Sequence, residues 1–176
     1  MTIAGTVLVE LTAHRDDRGS FLETYRRAWV PDAREMIQGN IVARAAGSIV
    51  GLHYHLHQAD YWYVAAGEAR VVLHDLRIGS PTEGATDVYD LGPPTERGLF
   101  IPPGVAHGFA ARTDMTMTYL VDGYYNPADE LGVAWDDPEL ALDWGVTNPV
   151  LSPRDQANPK RSEIPERIRP VFPLRT

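Results

Sequence analysis

Apolar and polar residues alternate along this chain in short runs, and Gly, Pro, Asn or Asp closes most of them. Successive side chains of a strand point to opposite faces, so a period of two marks a strand with one face buried. The runs predict strands over residues 6–11, 41–45, 50–55, 61–65, 69–76, 86–91, 98–101, 108–111 and 115–121. Residues 14–19 (HRDDRG) are a turn by composition, another ordered segment covers 20–25, and 26–37 reads as a short helix or an irregular link. Ala66-Gly67-Glu68 is a turn between two strands, and residues 79–84 are a loop. No helical period of useful length precedes Pro138. From Pro149 the chain is proline-rich and charged, as expected of an extended tail packed on the body or on a partner. Many short strands with this punctuation predict an all-β barrel or jelly roll.

Composition narrows the classes. A length of 176 residues suits one domain spanning 1–176, with a barrel core over about 40–125. An apolar fraction of 44% supports a real core and argues against disorder. The formal charge of -8, with no long basic run, argues against nucleic acid as a partner. The chain has no cysteine, hence no disulfide frame and no thiol chemistry. It shows neither the pattern of a signal peptide nor an apolar stretch near the ~20 residues of a membrane helix, so the cytoplasm is the expected location.

The stretch that carries chemistry runs from Gly47 to Gly67. His53, His55 and His57 alternate, so one straight strand would put all three on one face. Gly47, His53, His55, Asp60 and Gly67 resemble the first motif of the cupin superfamily, with Asp60 where Glu is usual. Pro102, Gly104 and His107 resemble the second. The resemblance implies a cupin jelly-roll barrel with an extended N-terminal arm and a short helical or extended C-terminal segment.

A narrower resemblance runs from about Ala13 to about Pro159. Its motifs are Asp17-Arg18-Gly19-Ser20-Phe21-Leu22-Glu23, Gln38-Gly39-Asn40, Gly51-Leu52-His53-Tyr54, Asp75-Leu76-Arg77 and residues 101–109. They continue with residues 124–127, Glu130, residues 135–138, Asp143-Trp144 and residues 151–155. In order and spacing the chain resembles the dTDP-4-dehydrorhamnose 3,5-epimerase family. That resemblance implies a nucleotide-sugar substrate, and no cofactor for the reaction. It implies a base (His53), the base's carboxylate partner (Asp155) and an acid (Tyr119). It places Arg18, Glu23, Gln38, Asn40, His107, Glu130 and Arg154 in the substrate pocket. It also implies a homodimer whose N-terminal arms cross, so that Arg18 and Glu23 complete the partner's site.

Two positions depart from the family pattern. Val50 stands where the family has a ligand-contacting arginine, and Asp60 stands where it has a lysine near the reacting centre. A carboxylate there has the wrong sign for an enolate, and repulsion would cost at least ~1 kcal/mol even at water-like screening. The same changes open a second reading. His53, His55, Asp60 and His107 together suit Zn, Fe(II), Ni or Mn by ligand type, for an isomerase or oxygenase reaction. A third reading is a non-catalytic relative that binds a nucleotide sugar. Plainer roles stand beside these. His57 is expected in a solvated loop, Tyr61, Trp62 and Tyr63 line the barrel, and Asp60 bonds a loop amide or an arginine.

Overall fold

The computed structural model describes residues 2–93 and 95–173, so the outermost ends of the expected domain lie outside the described residues. Among these described residues, twelve strands follow in chain order: β1 (Val7–Glu10), β2 (His14–Asp16), β3 (Gly19–Phe21), β4 (Gln38–Arg44), β5 (Ile49–Tyr54) and β6 (Asp60–Ala66). Then come β7 (Ala69–Asp75), β8 (Thr86–Leu91), β9 (Arg97–Ile101), β10 (Val105–Ala111), β11 (Met115–Val121) and β12 (Leu131–Gly132). One antiparallel sheet has the order β1-β9-β6-β11-β4, the other β12-β5-β10-β7-β8, and β2-β3 forms a separate hairpin. This is the expected all-β jelly roll of the cupin type.

The core explains the sequence pattern. Trp62, Val64, Leu99 and Met117 from the first sheet meet Val71, Leu73, Val105 and Phe109 from the second, and fill the space between them. The outer face of the second sheet is covered too. Leu52, Tyr54, Val72 and Ala106 pack under Val133, Leu140, Trp144 and Ile164 of the C-terminal segment. Strand β7 is therefore buried on both faces, and its middle, Val71-Val72-Leu73, is apolar at successive positions rather than alternating. On the first sheet's outer face, Tyr61 and Phe100 pack with Val30.

Three local readings are refined and one strand is added. Residues 14–19, read as a turn, hold the turn of a hairpin in which His14 pairs with Phe21. Residues 26–37 hold one 3-10 turn, Arg27–Trp29, and no longer helix. Strand β10 begins at Val105, because Val105 and Ala106 are covered on both sides and show no alternation. Strand β12, two residues long, carries too little sequence to reveal a period. The C-terminal segment contributes one turn of α-helix, α1 (Pro153–Gln156), with Ser152 as its N-cap.

Asp75 and Arg77, part of the same motif set, form with Ser80 and Thr82 a buried structural knot away from the site described below. The Asp75 carboxylate accepts from Arg77 Nε (2.7 Å) and Nη2 (2.8 Å), from Ser80 Oγ (2.7 Å) and from Thr82 Oγ1 (2.7 Å). Burial alone would raise its pKa, but these donors hold it down at about 2. Arg77 also donates to the Ala4 carbonyl (2.7 Å) and so ties down the N-terminal arm.

His74 sits beside this knot, 2% exposed, with Nδ1 against Thr86 Oγ1 at 2.9 Å. Burial, helped by the Arg161 charge, lowers its pKa from 6.5 to about 4. A lowered folded-state pKa means that the unfolded chain takes up the proton first. This stability is fully present above pH ~6.5 and falls as the pH drops towards 4, by about 3 kcal/mol. Urea unfolding of wild type at pH 7 and pH 4.5 is expected to show that loss, and His74→Leu is expected to flatten it.

Candidate active site

Strand register builds the site. His53 on β5 lies opposite His107 on β10, so both side chains point to the same face of the second sheet. Close backbone approach fixes that pairing. At Gly51 (φ +109°) a Cβ would lie 2.7 Å from Gly108 Cα and 2.7 Å from the His107 carbonyl, so no side chain fits there. From the facing sheet, β6 brings Asp60 and Trp62, and β11 brings Met117 and Tyr119. These residues line a cavity of about 230 Å³, together with Val42, Arg44, Val50, His55, Gln58, Phe109, Tyr125 and Glu130. A larger cavity, of about 660 Å³ between Val7, Val30, Phe100 and Phe172, contains none of the expected site residues.

His53 and Asp155 form the pair that the resemblance implies. Ser152 caps the single turn of α1 through the Asp155 N–H (3.1 Å) and aims the carboxylate at β5. His53 Nε2 stands 2.5 Å from Asp155 Oδ1. Burial pushes the Asp155 pKa up, but His53, Ser152 and the Gly51 backbone together outweigh it and hold the carboxyl below its usual value. An ionised carboxylate only accepts, so neutral His53 carries its proton on Nε2 and leaves the Nδ1 lone pair free. Its ring is 17% exposed, on the cavity wall.

Tyr119 also lines the cavity. Burial raises its phenol pKa, as do the charges of Asp60 and Glu130, so the O–H stays protonated at neutral pH. His107 is buried and its pKa is lowered to about 4, chiefly by desolvation. It is therefore neutral, with its Nδ1 donating to the Val105 carbonyl (2.9 Å).

The remaining expected residues divide into two groups. Glu130 lines the cavity and accepts from Arg154 Nη1 (2.9 Å), which places Arg154 just behind it. Gln38 donates to Asn40 Oδ1 (3.0 Å) on β4 beside the cavity. Arg18 and Glu23 stand outside this chain's cavity. Arg18 pairs with Asp16 and its side chain is 90% exposed, while Glu23 pairs with Arg26. His57 is exposed, as expected.

The four-residue metal set needs correction. His53 is turned to Asp155, and the group that comes together is His55, Asp60 and His107. The strand ends at Tyr54, which frees His55 from the course of His53. Asp60 meets a loop amide, the side chain of Gln58, and no arginine among the described residues. It accepts from Gln58 Nε2 (3.0 Å) and Trp62 Nε1 (3.0 Å). Sequence reading missed Arg44, a cation on the cavity wall one strand from Val50. The loss of the family's arginine at Val50 was the available signal that a cation would stand elsewhere.

The geometry can be set beside known proteins. The family model described as dTDP-4-dehydrorhamnose 3,5-epimerase matches residues 1–163. The chain is 38% identical over 152 residues to the spore coat polysaccharide biosynthesis protein SpsL of Bacillus subtilis, covering 82% of this chain and 97% of that one. NovW, a 4-keto-6-deoxy sugar epimerase from the novobiocin biosynthetic gene cluster of Streptomyces spheroides, superposes with a TM-score of 0.92. It is 33% identical, with 98% of this chain and 91% of that chain covered. The epimerase RmlC of Legionella pneumophila, solved with dTDP-4-keto-L-rhamnose, gives a TM-score of 0.91 at 31% identity, covering 98% and 96%. On these matches the chain belongs to the dTDP-4-dehydrorhamnose 3,5-epimerase family of sugar-nucleotide epimerases.

Proposed function

We propose that this protein epimerises a nucleotide-linked 4-keto-6-deoxy sugar at a carbon next to the C4 ketone. The observation that carries the reading is the His53–Asp155 pair, with His53 on one sheet and Tyr119 on the facing sheet of the same cavity. The adjacent ketone acidifies the C–H bond. His53 Nδ1 takes the proton, and the electron pair of that bond moves into an enolate. Asp155 stabilises the imidazolium that forms. Tyr119 then gives its phenolic proton to the same carbon from the other face, and the enolate returns to a ketone. No electrons leave the sugar, so the step calls for no redox cofactor.

Arg154, behind Glu130, and Arg44 supply positive charge for a diphosphate, and Gln38 and Asn40 supply amides for the nucleotide end. We read the whole chain as one domain working in the cytoplasm as a homodimer with crossed N-terminal arms. Support for the dimer comes from Arg18 and Glu23, which lie away from their own cavity, and from the apolar Phe21 (66% exposed) and Ile41 (72% exposed), the latter on edge strand β4.

The test is turnover of dTDP-4-keto-6-deoxyglucose by the purified protein, followed by chromatography and NMR of the sugar. A product inverted at C3, C5 or both is expected. Binding of dTDP without turnover would instead make this a non-catalytic relative. Tyr119→Phe is expected to slow turnover by about 10²-fold or more and leave dTDP affinity within about twofold, because it removes a proton donor and keeps the ring. Normal turnover by that variant would remove Tyr119 from the role of acid.

A further inference from the structure

The cavity contains a second constellation that the proton-transfer pair does not use. His55, Asp60 and His107 are 5%, 4% and 6% exposed, and one ligand-capable atom of each lies within 4.8 Å of the other two. Both rings are held by backbone carbonyls: His55 Nδ1 by Asp129 (2.8 Å) and His107 Nδ1 by Val105 (2.9 Å). A carbonyl only accepts, so each Nδ1 bears a hydrogen and each neutral ring has its lone pair on Nε2. Neither Nε2 has a hydrogen-bond partner among the described residues. This is the outer-shell pattern that orients histidines on a metal.

Asp60 gives an independent indication. Its carboxylate is oriented by Gln58 and by the Trp62 indole, and no Lys or Arg nitrogen lies within 4.0 Å of it among the described residues. A buried carboxylate without a cation carries a desolvation cost that a bound cation removes. Trp62 also stands edge-on to His107, with centroids 5.2 Å apart, and so fixes both ligands.

We infer that His55, Asp60 and His107 form a binding site for a divalent transition metal, with two imidazoles and one carboxylate on one side and the sugar cavity on the other. This donor set suits Zn, Fe(II), Ni or Mn. Metal–nitrogen bonds of ~2.1 Å put ligand atoms roughly 3–4 Å apart, so closing by about an ångström completes the set. His53 is outside the set, because its ring nitrogens do not join the other three ligand atoms within 4.8 Å. Resting on the epimerase reading, the ion would supply the positive charge for a C4 oxygen that Asp60 and Val50 do not.

Cobalt(II) is the probe, added to the full-length protein after chelator treatment and dialysis. One ion per chain, with a visible ligand-field spectrum, is expected. Asp60→Asn should weaken binding by more than ~100-fold, and Trp62→Phe, which keeps all three ligands, by about 10–100-fold. His53→Ala should keep the spectrum. Absence of cobalt binding by folded wild type, or unchanged affinity in both Asp60→Asn and Trp62→Phe, would overturn the site. Should Asp60→Asn fail to fold, the Trp62→Phe titration decides alone. Solvent exchange into the sugar is then measured with and without the ion. Exchange undiminished in stripped protein would overturn the ion's part in the reaction. The cobalt readout needs no turnover, so failure of the epimerase reading is separately visible.

Discussion

His53→Ala is expected to lower kcat by about 10²–10⁴-fold while the protein stays folded, because the substitution removes the one base oriented by a carboxylate. Asp155 holds the ring at 2.5 Å and fixes its tautomer, so the lone pair that takes the proton is already positioned in the free protein. The side chain is 17% exposed on the cavity wall, and its loss opens space into that cavity rather than a void in the core. KM should change little, since no binding contact is assigned to the ring. Steady-state kinetics with circular dichroism as the folding control checks this. A kcat within threefold of wild type would mean that another group takes the proton.

Asp75→Ala should cost about 3–5 kcal/mol of stability, the largest single effect expected outside the active site. Asp75 is wholly buried and Arg77 is 1% exposed, so the variant strands a guanidinium without its counter-charge. Ser80 and Thr82 lose their common acceptor, and the tie from Arg77 to Ala4 loosens. A double replacement of Asp75 and Arg77 by apolar residues of similar size should cost less than the single one, because it leaves no unpaired charge. Urea denaturation at pH 7 measures both. A single-variant cost below ~1 kcal/mol would show that the knot contributes little to the fold.

The jelly roll was legible because its strands are short and punctuated, and because β4 and β8 alternate. What sequence could not show follows from long range or brevity. Strand β12 is too short to have a period, and the hairpin at His14–Phe21 needs only a register, which composition does not encode. The partnership of His53 with Asp155 spans 102 residues of sequence and was available only through resemblance. The alternation of His53 and His55 correctly put both near the cavity. It could not show that β5 stops between them, with His53 turned to a carboxylate and His55 to the Asp129 carbonyl. Asp60 was visible as an anomaly of sign and was already grouped with His55 and His107 by the cupin motifs, but its indole donor emerged only from the structure.

The central claim is proton exchange next to the ketone through His53. Proton NMR of dTDP-4-keto-6-deoxyglucose with the protein in D2O tests it most directly. Deuterium entering at C3 or C5 with wild type, and slowed at least 10²-fold with His53→Ala, is the predicted result. No deuterium at either carbon while dTDP binds, or equal rates for the two proteins, would contradict it.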